Sequence, residues 1–245
     1  MYNIIRGSQN LFKNNLSFIV MILQNCQTLE ELWEIVDEIN HKYFPENHLM
    51  PILGDGKTFR PKFAFVFINP TRANISSDPN WQGPRFPFIG TKQIWRVFHK
   101  AGMFDNELIN TINNSKSWSL DLTQKVLNFL KSRAFYFTNL VKWTGHDATL
   151  PNSEKIKLFL PILKKEIEIV EPQYVVTFGL IPFESLTSQK IKLGEYYSET
   201  MKNKKLRFFD VEYGSFKTKI IPCHFPVGRG NPKKAIEILK LVNNL

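Results

Sequence analysis

The chain has 245 residues, 43% hydrophobic and 22% charged, which is enough apolar material for one substantial core. Its two cysteines, Cys26 and Cys223, exclude a disulfide framework and a cysteine-built zinc or iron-sulfur centre, and a cytoplasmic protein without metal or cofactor is expected. Thirty-two Lys and Arg against 22 Asp and Glu leave a net charge of +10, which favours an anionic partner, nucleic acid first, although a surface dressed generally with lysine gives the same sum.

Residues 11–25 carry an apolar run, but Asn14, Asn15 and Ser17 interrupt it and Gln24 and Asn25 close it. The run is shorter than the roughly 18 residues a membrane span needs, and no small-residue cleavage site follows it. A single monomeric domain over 1–245 is expected, with 1–50 as an N-terminal helical extension and no membrane partner. Within that extension, residues 28–43 open on Thr28 as N-cap with Glu31 three residues on. Leu29, Leu32, Trp33, Val36 and Ile39 then follow at helical spacing, which predicts an amphipathic helix.

Apolar runs rich in β-branched and aromatic residues recur at 63–68, 134–140, 174–178 and 219–223. Their near-continuous apolarity predicts strands buried on both faces of a parallel sheet. Helical patterns at 92–101, 120–132, 153–170 and 182–189 alternate with them. The alternation predicts a three-layer αβα sandwich around a central, mostly parallel four-stranded sheet with right-handed crossovers. In such sheets the ligand lies beyond the carboxyl ends of the strands. The residues found there are Asn69-Pro70-Thr71, Asn139, Gly179 and His224-Phe225-Pro226.

These segments resemble the motifs of the uracil-DNA glycosylase superfamily. FINPT at 67–71 is similar to the first motif, in the GINPG form of the mismatch-specific branch, with Asn69 at the place of the catalytic Asn. RFPFIGTKQIWRVFHKAGMF at 85–104 resembles the PFVGxAG segment of the thermostable iron-sulfur branch, with Phe88 at the position that stacks on the flipped base. YFTNLVKW at 136–143 resembles the stretch whose Asn reads the pyrimidine edge, here Asn139, and EPQYVVTFG at 171–179 resembles the strand that follows. IIPCHFPVGRGNP at 220–232 resembles the second motif and places His224 as the catalytic His. Phe67 stands where the first motif has Gly, and Phe225-Pro226 where the second has Pro-Ser. The four cluster-binding cysteines are absent, so the branch stays open.

The resemblance implies a DNA glycosylase acting on a flipped uracil or modified pyrimidine. His224 would donate to the pyrimidine O2 as negative charge develops there, and Asn69 would orient a water below the sugar. Asn139 would read the base edge, Phe88 would stack on the ring, and Ile68 and Thr71 would line the base. Arg229, Lys233, Lys234 and Lys142 are the candidates for holding DNA, the partner this implies. Thr71 takes the place of a bulky Tyr that rejects thymine, so the pocket is expected to accept C5-modified bases, including those of bacteriophage DNA. Each residue also has a plainer reading: Asn69-Pro70 as a turn, Phe88 as core, Asn139 as a strand-end hydrogen bonder. His146 and Asp147 are a weaker candidate pair. The rival functions are a catalytically silent DNA-binding member of the same fold and a hydrolase of free nucleosides.

Overall fold

The computed structural model describes residues 16–228 and 230–245. It opens on helical backbone over residues 16–25 (α1), followed by α2 (Leu29–Tyr43). Ile19 and Leu23 of the first helix and Leu32, Val36 and Ile39 of the second are buried in the core. The start of α2 is set by the expected device: the Thr28 side chain accepts from the Glu31 amide at 3.2 Å, and Glu31 accepts from the Thr28 amide at 3.1 Å. Thr28→Ala is therefore expected to cost about 1 kcal/mol. The check is the urea midpoint at unchanged slope.

The sheet contains β1 (Asp55–Gly56), β2 (Phe63–Phe67), β3 (Phe135–Asn139), β4 (Tyr174–Phe178), β5 (Phe209–Tyr213) and β6 (Phe216–Cys223). Their spatial order is β1-β3-β2-β4-β6-β5. The inner four are mutually parallel, and β1 and β5 pair antiparallel at the two edges. The expected four-stranded sheet is thus corrected to six strands. The predicted strands form its centre, where burial on both faces leaves a continuous apolar signal. Edge strand β5 instead alternates, with Phe209 and Tyr213 buried and Asp210 and Glu212 exposed, as a strand with one wet face must.

Helices α3 (Gln93–Lys100), α4 (Asn106–Asn114), α5 (Leu120–Ser132), α6 (Ser153–Val170), α7 (Leu180–Thr187), α8 (Leu193–Asn203) and α9 (Pro232–Asn243) complete the chain. Because side chains alternate along a strand, the sheet has two chemically different faces. One is aromatic: Phe65 meets Phe98 of α3 edge-on at 4.9 Å, Trp95 of α3 stacks on Phe137 at 5.6 Å, and Phe67 stacks on Phe178 at 4.6 Å. Each fully buried ring contributes roughly 1.5 to 3 kcal/mol. From the other face, Tyr136 and Thr138 of β3 hydrogen-bond Glu166 of α6. Helices therefore pack on both faces, and the carboxyl ends of the four parallel strands open on one edge.

Candidate active site

The four inner strands end in register, so the residues after them share that edge. Phe67 pairs with Asn139, and Phe178 with Cys223, immediately before His224. The loops are then tied across. Leu140 donates to the Phe67 carbonyl at 2.8 Å and Val141 to that of Ile68 at 2.9 Å. Gly145 donates to Pro70 at 3.0 Å, in a parallel bridge that joins Thr71 to Gly145. Gly179 donates to the Cys223 carbonyl at 2.8 Å from a backbone at φ +90°, a conformation that suits glycine.

Phe67, the departure from the motif's Gly, points into the core and is 1% exposed. Its ring lies between Phe178 and Phe88, the latter meeting it edge-on at 4.5 Å. Phe88 is half-buried and adopts φ +71°, a strained conformation for a phenylalanine. Such strain costs of order 1 to 3 kcal/mol and persists only where its surroundings enforce it. Here the Phe88 carbonyl accepts from Thr91 Oγ1 at 3.0 Å and from Trp95 Nε1 at 3.3 Å. The segment holds one ring at the edge of the sheet.

Asn139 is 1% exposed, on the same sheet face as Phe67, and its Nδ2 meets no acceptor among the described residues. His224 is half-buried, and its Nε2 is likewise buried with no partner among them. Buried polar groups left in this way are rare. Asn69 is half-buried, and its Nδ2 donates to the Pro70 carbonyl at 3.2 Å. Ile68 is buried, and Thr71 is half-buried with Oγ1 accepting from the Ala73 amide at 3.4 Å.

Around His224 stands a cluster that the sequence did not disclose. Tyr197 of α8 meets the imidazole edge-on at 5.7 Å and hydrogen-bonds Glu237 of α9 through its hydroxyl. Lys234 lies over the Tyr197 ring at 4.6 Å. Burial, with Lys234 adding to it, pushes the His224 pKa below its ordinary value, so the neutral imidazole is favoured. Tyr197 belongs to a helix between α7 and β5 that carries no motif, so no local signal could have found it.

The proposed DNA contacts divide. Lys233 is exposed and Lys234 half-buried in the first turn of α9, which Asn231 caps and Pro232 opens. Arg229 lies outside the described residues. Lys142 corrects the expectation: it is 0% exposed and ion-paired to Glu166, so it cannot reach phosphate. His146 and Asp147 are exposed, and Asp147 accepts from the Thr149 amide at 2.8 Å within its own turn.

The largely parallel sheet is of the open class whose ligands bind at the carboxyl ends of the strands, and at those ends Asn139 and His224 carry buried nitrogens with no partner among the described residues. A sequence model of the uracil DNA glycosylase superfamily matches residues 53–241, more than half of the chain, and the chain belongs to that superfamily. No curated protein matches the chain. Membership points to DNA glycosylase activity, with DNA as substrate. Among the described residues no helix is long and apolar enough to cross a membrane.

Proposed function

We propose that the protein is a monofunctional DNA glycosylase that hydrolyses the N-glycosidic bond of a uracil or a C5-modified pyrimidine flipped out of DNA. The observation that carries this reading is a pair of buried nitrogens with no partner among the described residues, Asn139 Nδ2 at the last residue of β3 and His224 Nε2 just past β6. Leaving a buried donor unsatisfied costs about 1 to 3 kcal/mol. A pyrimidine entering this edge would present O4 to the Asn139 amide and O2 to the imidazole.

Phe88 would stack on the extruded ring and replace the neighbouring bases. Asn69 Nδ2 is engaged with its own turn, so its amide oxygen would orient a water towards C1′ of the sugar. The C1′–N1 bond breaks, its electron pair leaves with the base, and water adds to C1′ and gives up its proton to solvent, from which the base anion is later protonated, so that an abasic site and a neutral base result. The base departs as an anion that His224 stabilises through a hydrogen bond to O2, which strengthens as the charge develops. Lys233 and Lys234 would meet phosphate at the start of α9, where a helix N-terminus favours anions, and Arg229 would add to the DNA contacts.

The neutral imidazole sets the pH dependence. Folding lowers the His224 pKa, so the rate should stay level from pH 8 to its ordinary value of 6.5 and fall only below that. The unfolded chain takes up the proton first, so this group also makes stability decline as pH falls below 6.5. Lys234→Met should move the acid limb of the saturated single-turnover rate to higher pH, because only burial then opposes protonation.

Thr71 supports a pocket open at C5, and with it a role in defence against phage DNA carrying enlarged cytosines. The test is base release from duplexes carrying uracil, thymine opposite guanine, or glucosylated hydroxymethylcytosine. Cleavage of uracil alone would end the broad-pocket reading. DNA binding without release from any duplex would favour the silent relative. Activity on free nucleosides with weak dependence on salt would favour the nucleoside hydrolase, since a DNA enzyme loses affinity steeply as salt competes for phosphate.

A further inference from the structure

Behind the strand that carries Asn139 lies a charged network that the proposed chemistry does not use. Lys142 Nζ donates to the Asn139 carbonyl at 2.8 Å, to Glu166 Oε2 at 2.5 Å and to Thr138 Oγ1. Three acceptors engage all three N–H groups of an ammonium. Glu166 Oε1 in turn accepts from Thr138 Oγ1 at 2.7 Å and from the Tyr136 hydroxyl at 2.9 Å. The ion pair is closed off from water, with side-chain exposures of 0% and 1%. Gly54 completes the enclosure: a Cβ there would lie 2.2 Å from the Tyr136 hydroxyl and 2.3 Å from Glu166 Oε1, so no larger residue fits.

A buried ion pair is poor value for stability compared with apolar packing, because desolvation opposes the attraction. Its use is better sought in what it holds. Thr138 faces α6 and Asn139, the next residue, faces the aromatic side. The ammonium thus grips the main chain of Asn139 from the face opposite to its amide.

We propose that Lys142 is a positioning residue for base recognition: by fixing the Asn139 carbonyl it aims the Asn139 amide at the pyrimidine edge. This rests on Asn139 as the reader of the base.

Two variants separate this role from simple support of the fold. Glu166→Gln leaves the Lys142 ammonium without its counter-charge, at the cost in stability of an unpaired buried charge, and keeps the bond from Lys142 to Asn139. Lys142→Met/Glu166→Gln removes that bond as well, leaves no unpaired charge, and retains an acceptor for Tyr136 and Thr138. The first readout is the 15N–1H signal of the Asn139 side-chain amide, identified by its loss in Asn139→Asp. It should stay at the wild-type shift in Glu166→Gln and should move or broaden in the double variant. The second readout is single-turnover base release. Its maximal rate should fall about ten- to a hundredfold in the double variant, as expected for a misplaced reacting group, and stay near wild type in Glu166→Gln, with the half-saturating DNA concentration unchanged in both. An unmoved Asn139 signal in the folded double variant, or equal rates for the two variants, overturns the proposal. A wild-type protein inactive on every duplex sinks the glycosylase reading instead, and the amide signal alone then decides whether Lys142 positions Asn139.

Discussion

Replacing His224 by alanine should lower the single-turnover rate of base release about a hundred- to a thousandfold and leave duplex affinity within roughly twofold. The size of the loss follows from where the imidazole sits. Its Nε2 is buried and has no partner among the described residues, so a bond made there to a developing anion is formed in a medium where it is strong. Affinity should survive because phosphate contacts carry most of it. Lys233→Ala should do the reverse. It should weaken binding to all duplexes alike and reduce the salt slope by about one, with the saturated rate kept. Finding the same small loss of rate in both variants would mean that His224 belongs to the DNA-binding surface and not to the chemistry.

Lys142→Met is expected to cost heavily in stability. It strands the Glu166 carboxylate in the core, and breaking one side of a buried pair costs about 3 to 5 kcal/mol. At roughly 2 to 4 °C per kcal/mol for a domain of this size, Tm should fall by some 6 to 20 °C. Adding Glu166→Gln removes the stranded charge and should restore most of that loss. A calorimetric scan of the single and double variants checks this. A Lys142→Met protein as stable as wild type would mean that Glu166 takes up a proton or finds another partner.

The centre of the fold was legible because strands buried on both faces write their burial into consecutive residues. The runs at 174–178 and 120–132 coincide with β4 and α5 to the residue, and the capping pair Thr28 and Glu31 marked the start of α2. The region from 193 to 218 was not legible. Its helix α8 lacks a capping side chain, and its strand β5 alternates polar and apolar residues at the sheet edge. Helix α4 was missed because Asn106, Asn110, Asn113 and Asn114 weaken its local preference.

The strand-end logic singled out Asn69, Asn139 and His224, and the structure places all three along the carboxyl edge of the sheet. Charge proved a poorer guide than position. Lys142 looks like any basic residue after a strand, and its partner Glu166 sits among Lys164, Lys165 and Glu168, in text that reads as a solvated helix face. Only the packing of α6 on β3 reveals that these two side chains face inward. Phe67 teaches the same lesson. It stands in the sequence as a departure from the motif's Gly, yet its ring lies in the core as the support of Phe88.

In the proposed complex Asn69, Phe88, Asn139 and His224 surround one extruded base. A crystal structure of Asn69→Ala protein bound to a duplex carrying its substrate pyrimidine tests it directly. The expected structure has a base turned out of the helix, its ring against Phe88, its Watson–Crick edge on the Asn139 amide and its O2 on His224 Nε2. A base left stacked in the duplex, or DNA seated on another face of the protein, would contradict it.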